Sequence, residues 1–200
     1  MARSSARCDG SQMRTVSNTI GAGGATSPAM VKVWDPIVRI FHWTLVACFV
    51  IAYGTGDEVE RVHVAAGYAI AGLFAIRILW GFVGPRHARF SKFIRPPREV
   101  LAYLRDVALL RAPRYIGHNP AGGAMIVALL VALAGTCATG YMMTTDAYWG
   151  SKLIEHAHQF LAHMTVGLVA AHVIGVLIAS FQHRENLIAS MISGRKRAAD

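Results

Sequence analysis

The run EHAHQFLAHMTVGLVAAH, Glu155 to His172, places four histidines in a stretch that is otherwise nearly uncharged and apolar. Imidazole exchanges protons near neutral pH and ligates metals, and inside a membrane-spanning helix it costs free energy unless it is used. Spacing sorts the four. At about 100° per residue, His158 and His172 fall within roughly 40° of each other on one helix face. His163 lies roughly 180° from His172, and His156 roughly 160°. The helical rise puts the α-carbons of His158 and His172 about 21 Å apart along the axis. They therefore belong to two sites at different depths, since chelation of one ion from a single helix needs ligands at i and i+4, as in HExxH. Each needs a partner from another element. Two further histidines stand in apolar runs: His42 in IVRIFHWTLVACFVIAY and His63 in VHVAAGYAIAGLFAIRILWGFV.

The elements that must hold these side chains are four apolar segments, at about 37–55, 62–83, 121–143 and 156–181. A helix needs roughly 20 residues to cross the hydrocarbon core, and helices are the open-ended structures that pair every backbone amide internally. Hydrophobic residues make up 54% of the 200-residue chain and charged ones only 16%, against about a quarter in soluble domains. The expected fold is all-α, an integral membrane four-helix bundle spanning 31–183. A net charge of +9 and a pI near 10.0 would suit nucleic acid, but the cations sit between the apolar blocks, so no nucleic-acid partner is expected. Arg86, Arg89, Lys92, Arg95, Arg98, Arg105, Arg111 and Arg114 lie between the second and third segments, and Arg184, Arg195, Lys196 and Arg197 follow the fourth. The other two loops are short and carry acidic residues. The positive-inside rule then puts both termini and the middle loop in the cytoplasm. In that loop REVLAYLRDVALL, after Pro96 and Pro97, has the pattern of a short amphipathic helix that lies on the membrane or meets a partner; a basic loop that only sets topology is an equal reading. Residues 1–30, rich in Ser, Gly, Ala and Thr with no long apolar core, are expected to be a disordered tail rather than a signal peptide, and a start at Met30 would also give a sensible protein. Residues 184–200 read as a basic cytoplasmic tail. Cys8, Cys48 and Cys137 make no CxxC or CxxCH motif.

Orientation supplies the partners. His42 falls in the cytoplasmic half of its helix and His63 near the outer surface. His158 is near the outer surface and His172 deeper. Depth pairs His63 with His158 and His42 with His172. Two nitrogens are too few for zinc, which takes four ligands, whereas a porphyrin brings four of its own. Facing imidazoles on separate helices are what axial ligation of a b-type haem requires, so two haem b groups are expected, an outer and an inner. Arg39, three residues before His42, and Arg77, fourteen after His63 on the same face, are placed to meet the inner haem's propionates; snorkelling to lipid headgroups explains them equally well. Gly67, one turn after His63, would let a flat macrocycle approach the backbone. The alternative for Gly67 is close helix packing, the preferred reading for Gly135, Gly140, Gly167 and Gly175. His87, His118 and His183 lie outside the apolar blocks and are expected in solvent. His156 is expected at the headgroup boundary, and His163 against helix three or a quinone.

WDPIVRIFHW at Trp34 to Trp43, His63 opening the second helix, the fourteen-residue spacing to His172 and HRENLIASMISGRKR at His183 to Arg197 together resemble the bacterial cytochrome b561 family, in the branch of the b-type cytochrome subunits of nickel–iron hydrogenases. The resemblance covers about Val31 to Arg197. It implies a four-helix membrane bundle with two bis-histidine haems, His42, His63, His158 and His172 as ligands, and electron transfer between membrane quinone and a partner redox protein, such as a hydrogenase or a c-type cytochrome, in the bacterial inner membrane. The chain would then be an electron-transfer subunit rather than a stand-alone enzyme. Three other readings stay open on sequence: a single-subunit superoxide:quinone oxidoreductase, a His-lined metal-ion transporter and a structural anchor without cofactor.

Overall fold

The computed structural model describes residues 30–198 apart from Asp57, Arg86, His87 and Ile116. The tail expected to be disordered and the expected placement of His87 thus lie outside the described residues, save Met30. Four long helices dominate: α1 (Pro36–Thr55), α2 (Glu60–Val83), α5 (Pro120–Met143) and α6 (Lys152–Gln182). Between α2 and α5 come α3 (Phe90–Phe93) and α4 (Pro97–Ala108), and after α6 comes α7 (Leu187–Ser193). Each of the four long helices is long and apolar enough to cross a membrane.

Local chemistry sets the helix ends. Asp35 precedes α1, and its Oδ1 accepts from the backbone N–H groups of Ile37 (2.8 Å) and Val38 (3.4 Å). Pro36 follows, with φ already suited to a first helical turn. The same device opens α5, where Asn119 Oδ1 accepts from Gly122 N at 2.6 Å ahead of Pro120. Helix α2 stops at Gly84, whose N–H closes on the Trp80 carbonyl before Pro85. Helix α6 starts four residues earlier than its apolar run suggests. Its first turn, Lys152 to Glu155, carries the exposed Lys152–Glu155 pair at 2.7 Å, and His156 follows within the helix. At 31 residues it is about 46 Å long, well over the roughly 30 Å hydrocarbon core.

Both described ends of the chain, the α2–α5 connection and α7 gather at one end of the bundle, here the basic end. A two-stranded antiparallel ribbon closes it: β1 (Met30–Lys32) pairs with β2 (Arg195–Arg197), Val31 opposite Lys196. The stretch expected as a plain basic tail is therefore folded through α7 and β2. A buried carboxylate is the reason. Glu185, 9% exposed, accepts from Arg114 Nη2 (3.2 Å) and Arg197 N (3.1 Å) and lies 3.9 Å from Lys196 Nζ.

In the bundle α1 packs on α2 and α5 on α6, while α2 bridges to α5; α6 has little backbone contact with α1 or α2. The core cluster is Ala52, Ala66, Ile70 and Leu133, flanked by Leu45, Cys48, Phe49, Phe74 and Cys137. Among the described residues no large side chain is fully buried. The seam between α6 and the α1–α2 pair is spanned by side chains rather than closed by helix contact, and the histidines project there.

Candidate functional site

At the short-loop end of the seam, His63 of α2 and His158 of α6 face each other. Their ring centres are 6.0 Å apart and their planes stand at 82°. Each ring is oriented through Nδ1. His63 Nδ1 lies 2.8 Å from the Ala52 carbonyl of α1. His158 Nδ1 lies 3.0 Å from the Thr136 carbonyl and 3.1 Å from Thr139 Oγ1, both on α5. A carbonyl oxygen only accepts, so in both rings Nδ1 carries the proton and Nε2 keeps its lone pair. This is how outer hydrogen bonds fix the tautomer of a metal-ligating histidine and raise its basicity. Imidazole–metal bonds of about 2 Å place two rings bound to opposite sides of one metal roughly 6 Å apart, centre to centre. The observed spacing fits a single metal between two imidazoles.

Toward the basic end, His42 on α1 is half-buried, edge-on to the neighbouring Trp43 ring. Its Nδ1 is buried without a hydrogen-bond partner among the described residues. His172 of α6, also half-buried, is near enough to His42 to act on it electrostatically. The structure thus brings His63 and His158 ring to ring at one level, with His42 and His172 within electrostatic reach of each other at another. Among the described residues no three His, Cys, Asp or Glu side chains gather as a metal-ion site. Paired imidazoles of this kind suit a metal that carries its own equatorial ligands.

The space beside Gly67 agrees with a flat group. A Cβ built there would meet nothing within 4 Å, so its small size is not taken up by close helix packing; the same holds at Gly167 and Gly175, expected to pack closely, whereas Gly135 does pack closely, on Leu161. Gly140 is the opposite case. A Cβ there would stand 3.0 Å from His158 Cε1, so this glycine admits the His158 ring against α5 rather than serving general packing. Residue type alone does not pick out Ala52, Thr136 or Gly140 for this role, although the Thr136–Thr139–Gly140 grouping in the charge-free segment is a visible signal for a polar contact there.

The two arginines are each engaged with the basic end. Arg39 Nη2 donates to the Ile192 carbonyl ahead of Gly194, and its Nε is buried without a partner among the described residues. Arg77, 6% exposed, donates from Nη2 to the Ala88 carbonyl at 3.3 Å and lies over the Phe90 ring, 4.9 Å from its centre. Its Nη1 is likewise buried and unpartnered. Each guanidinium therefore retains one donor for an acceptor that the described protein groups do not supply.

The remaining histidines fall into other roles. His156 is exposed. His163, expected against helix three or a quinone, has its ring 6.0 Å from that of Tyr53 on α1, with Nδ1 bonded to the Gln159 carbonyl of its own helix. His118, expected in solvent, lies between the rings of Trp34 (4.7 Å) and Phe93 (4.9 Å). His183 is half-buried in the basic-end cluster. Burial, then Arg114 and Lys196, push its imidazole below the ordinary value, against the pull of Glu185.

Comparison with known proteins adds to this geometry. The sequence model of the family described as Prokaryotic cytochrome b561 matches residues 33–194. A protein of Bradyrhizobium diazoefficiens named "Probable Ni/Fe-hydrogenase B-type cytochrome subunit" is 29% identical, over 85% of this chain and 87% of its own. A Rhodobacter capsulatus protein of the same name is 25% identical over 85% and 82% of the two chains. The Escherichia coli K12 "Probable Ni/Fe-hydrogenase 1 B-type cytochrome subunit" is 23% identical over 81% and 88%. No solved structure matches the chain at a significant level.

Proposed function

The chain belongs to the prokaryotic cytochrome b561 family, and from that premise we propose that it is a di-haem cytochrome b that carries electrons across the bacterial cytoplasmic membrane, between a partner redox protein and the quinone pool. The observation that supports this best is the His63–His158 pair, 6.0 Å between ring centres, with both Nδ1 atoms committed to carbonyl oxygens on neighbouring helices. His63 and His158 would hold the outer haem b, and His42 and His172 the inner one. Bound haem b supplies a one-electron iron couple tuned by its axial ligands, nearby hydrogen bonds and burial. Two imidazoles per iron leave no position for a substrate, so the protein's task is outer-sphere transfer. Ala52, Thr136 and Thr139 fix the ligand tautomers. Gly67 admits the macrocycle, and Arg39 and Arg77 face the inner haem's propionates.

The relatives are named as nickel–iron hydrogenase cytochrome subunits, which favours a hydrogenase as the electron-donating partner. The basic end carries the surplus of Lys and Arg and would face the cytoplasm, putting His63 and His158 toward the outer surface and such a partner.

Pyridine haemochrome analysis of the purified full-length protein tests this reading, with two haem b per chain expected. His158→Ala and His172→Ala should each leave one haem, while His163→Ala, altering a ring that sits beside Tyr53, should leave two. Protein that folds with haem supplied yet shows no Soret band would overturn the reading.

A further inference from the structure

Arg77 poses an electrostatic problem. Its guanidinium is 6% exposed, in the last two turns of a membrane-spanning helix. None of the ion pairs among the described residues includes it. A buried cation without a counter-charge is costly, and among the described residues Arg77 meets one carbonyl and the face of one ring. That ring belongs to Phe90, the first residue of α3. Phe90 is seated on Gly81: a Cβ at Gly81 would stand 2.0 Å from Phe90 Cε2, so any larger residue at position 81 would push the ring away. Edge contacts to Phe82 (5.6 Å) and Phe93 (5.8 Å) hold Phe90 on its other sides. Gly81 is eighteen residues, five turns, from His63 and so on the same face of α2. Phe90 therefore covers that face at the basic end and packs against the Arg77 guanidinium.

We propose that Phe90, seated on Gly81, is a positioning residue that holds Arg77 as the internal counter-ion of the inner haem's carboxylates and keeps water from that cation. The inference rests on the di-haem reading above. It goes further in assigning Phe90 and Gly81, through Arg77, a part in setting one haem's potential. A cation held in a poorly polarisable site favours the reduced cofactor, which carries one more negative charge. Removing the cation, or letting water screen it, lowers that haem's midpoint potential and leaves the other haem unchanged.

The test is spectroelectrochemical titration of the full-length protein in lipid nanodiscs, with His158→Ala used to assign the inner haem. Phe90→Ala and Gly81→Ala should each shift the inner midpoint downward, leave the outer midpoint in place and keep two haems per chain. Arg77→Gln should shift it further, and Arg77→Lys should recover part of the loss, which a purely structural role would not produce. If Phe90→Ala fails to assemble, Gly81→Ala and Phe90→Leu carry the same expectation. Two haems in every variant with an unmoved inner midpoint would overturn the proposal while leaving the di-haem reading intact. A wild-type chain that binds no haem would defeat that reading itself.

Discussion

His158 has two acceptors at Nδ1 where His63 has one. The second, Thr139 Oγ1, donates its own hydrogen back to the Gly135 carbonyl at 2.8 Å, which leaves its lone pairs for the imidazole N–H. Such a contact makes the ring a more basic ligand and favours an oxidised metal. Thr139→Val keeps the shape and the Thr136 carbonyl but removes this acceptor. It is expected to leave two haems per chain and to raise the outer haem's midpoint, read in a redox titration beside the wild type; a lowered or unchanged value would count against Thr139 as a tuning residue. The four histidines stand out in the sequence because imidazole is rare in apolar runs and their spacing selects a face. The Ala52 and Thr136 carbonyls do not, because every residue has one. Which carbonyl an imidazole meets depends on the register between helices, which no spacing within one helix contains.

The starts of α1 and α5 were legible in the sequence, whereas that of α7, which Asn186 caps by accepting from the Ala189 N–H at 2.8 Å, was not. Asp35 with Pro36 and Asn119 with Pro120 mark the starts of α1 and α5 to within a residue, because an acceptor beside a fixed φ satisfies backbone N–H groups that the helix cannot. The start of α6 was not legible. Lys152 and Glu155 are charged and enclose only two apolar residues, Leu153 and Ile154, so the continuous apolar run stops short of them, although helix and ion pair run on through them. The ribbon between β1 and β2 was hidden for a similar reason, as two segments of three residues carry no period of their own. The N-cap yields a prediction of its own. Asp35→Ala removes the acceptor of two N–H groups, and should lower stability by about 1 kcal/mol, measured by denaturant unfolding in detergent. Asp35→Ser should recover most of it, and an alanine variant as stable as wild type would show that the cap does not hold α1.

At the scale of the whole molecule, the long helices account for the crossing and the basic end accounts for how their ends are tied. There the two described chain ends meet, and Glu185 joins α6 to the α2–α5 connection through Arg114 and to β2 through Arg197 and Lys196. Burial alone would push the Glu185 carboxyl upward. The Arg114 hydrogen bond, the Arg197 N–H and the Lys196 charge outweigh it and hold the carboxyl below its ordinary value. Lys196 is the weaker partner: it stands 3.9 Å away, and burial pushes its ammonium down despite Glu185. Because the carboxyl is depressed in the folded chain, the unfolded chain binds the proton first as pH falls. The stabilisation is complete above the unfolded value and is lost as pH falls through the folded one. Glu185→Gln removes the counter-charge of Arg114, which keeps its bonds to the Ala198 and Arg197 carbonyls, and should cost about 2 kcal/mol at neutral pH, in the range for losing a hydrogen bond to a charged group. It should also remove this part of the acid dependence. Trp34 provides the probe, with its Nε1 donating to Ser190 Oγ at 3.4 Å and Lys196 lying 5.9 Å from its ring centre. Tryptophan fluorescence during denaturant titration at neutral and acid pH should show the wild type falling toward the variant as the carboxyl protonates. Parallel acid profiles for the two proteins would mean that the ends are held by the ribbon's backbone pairing rather than by this charge.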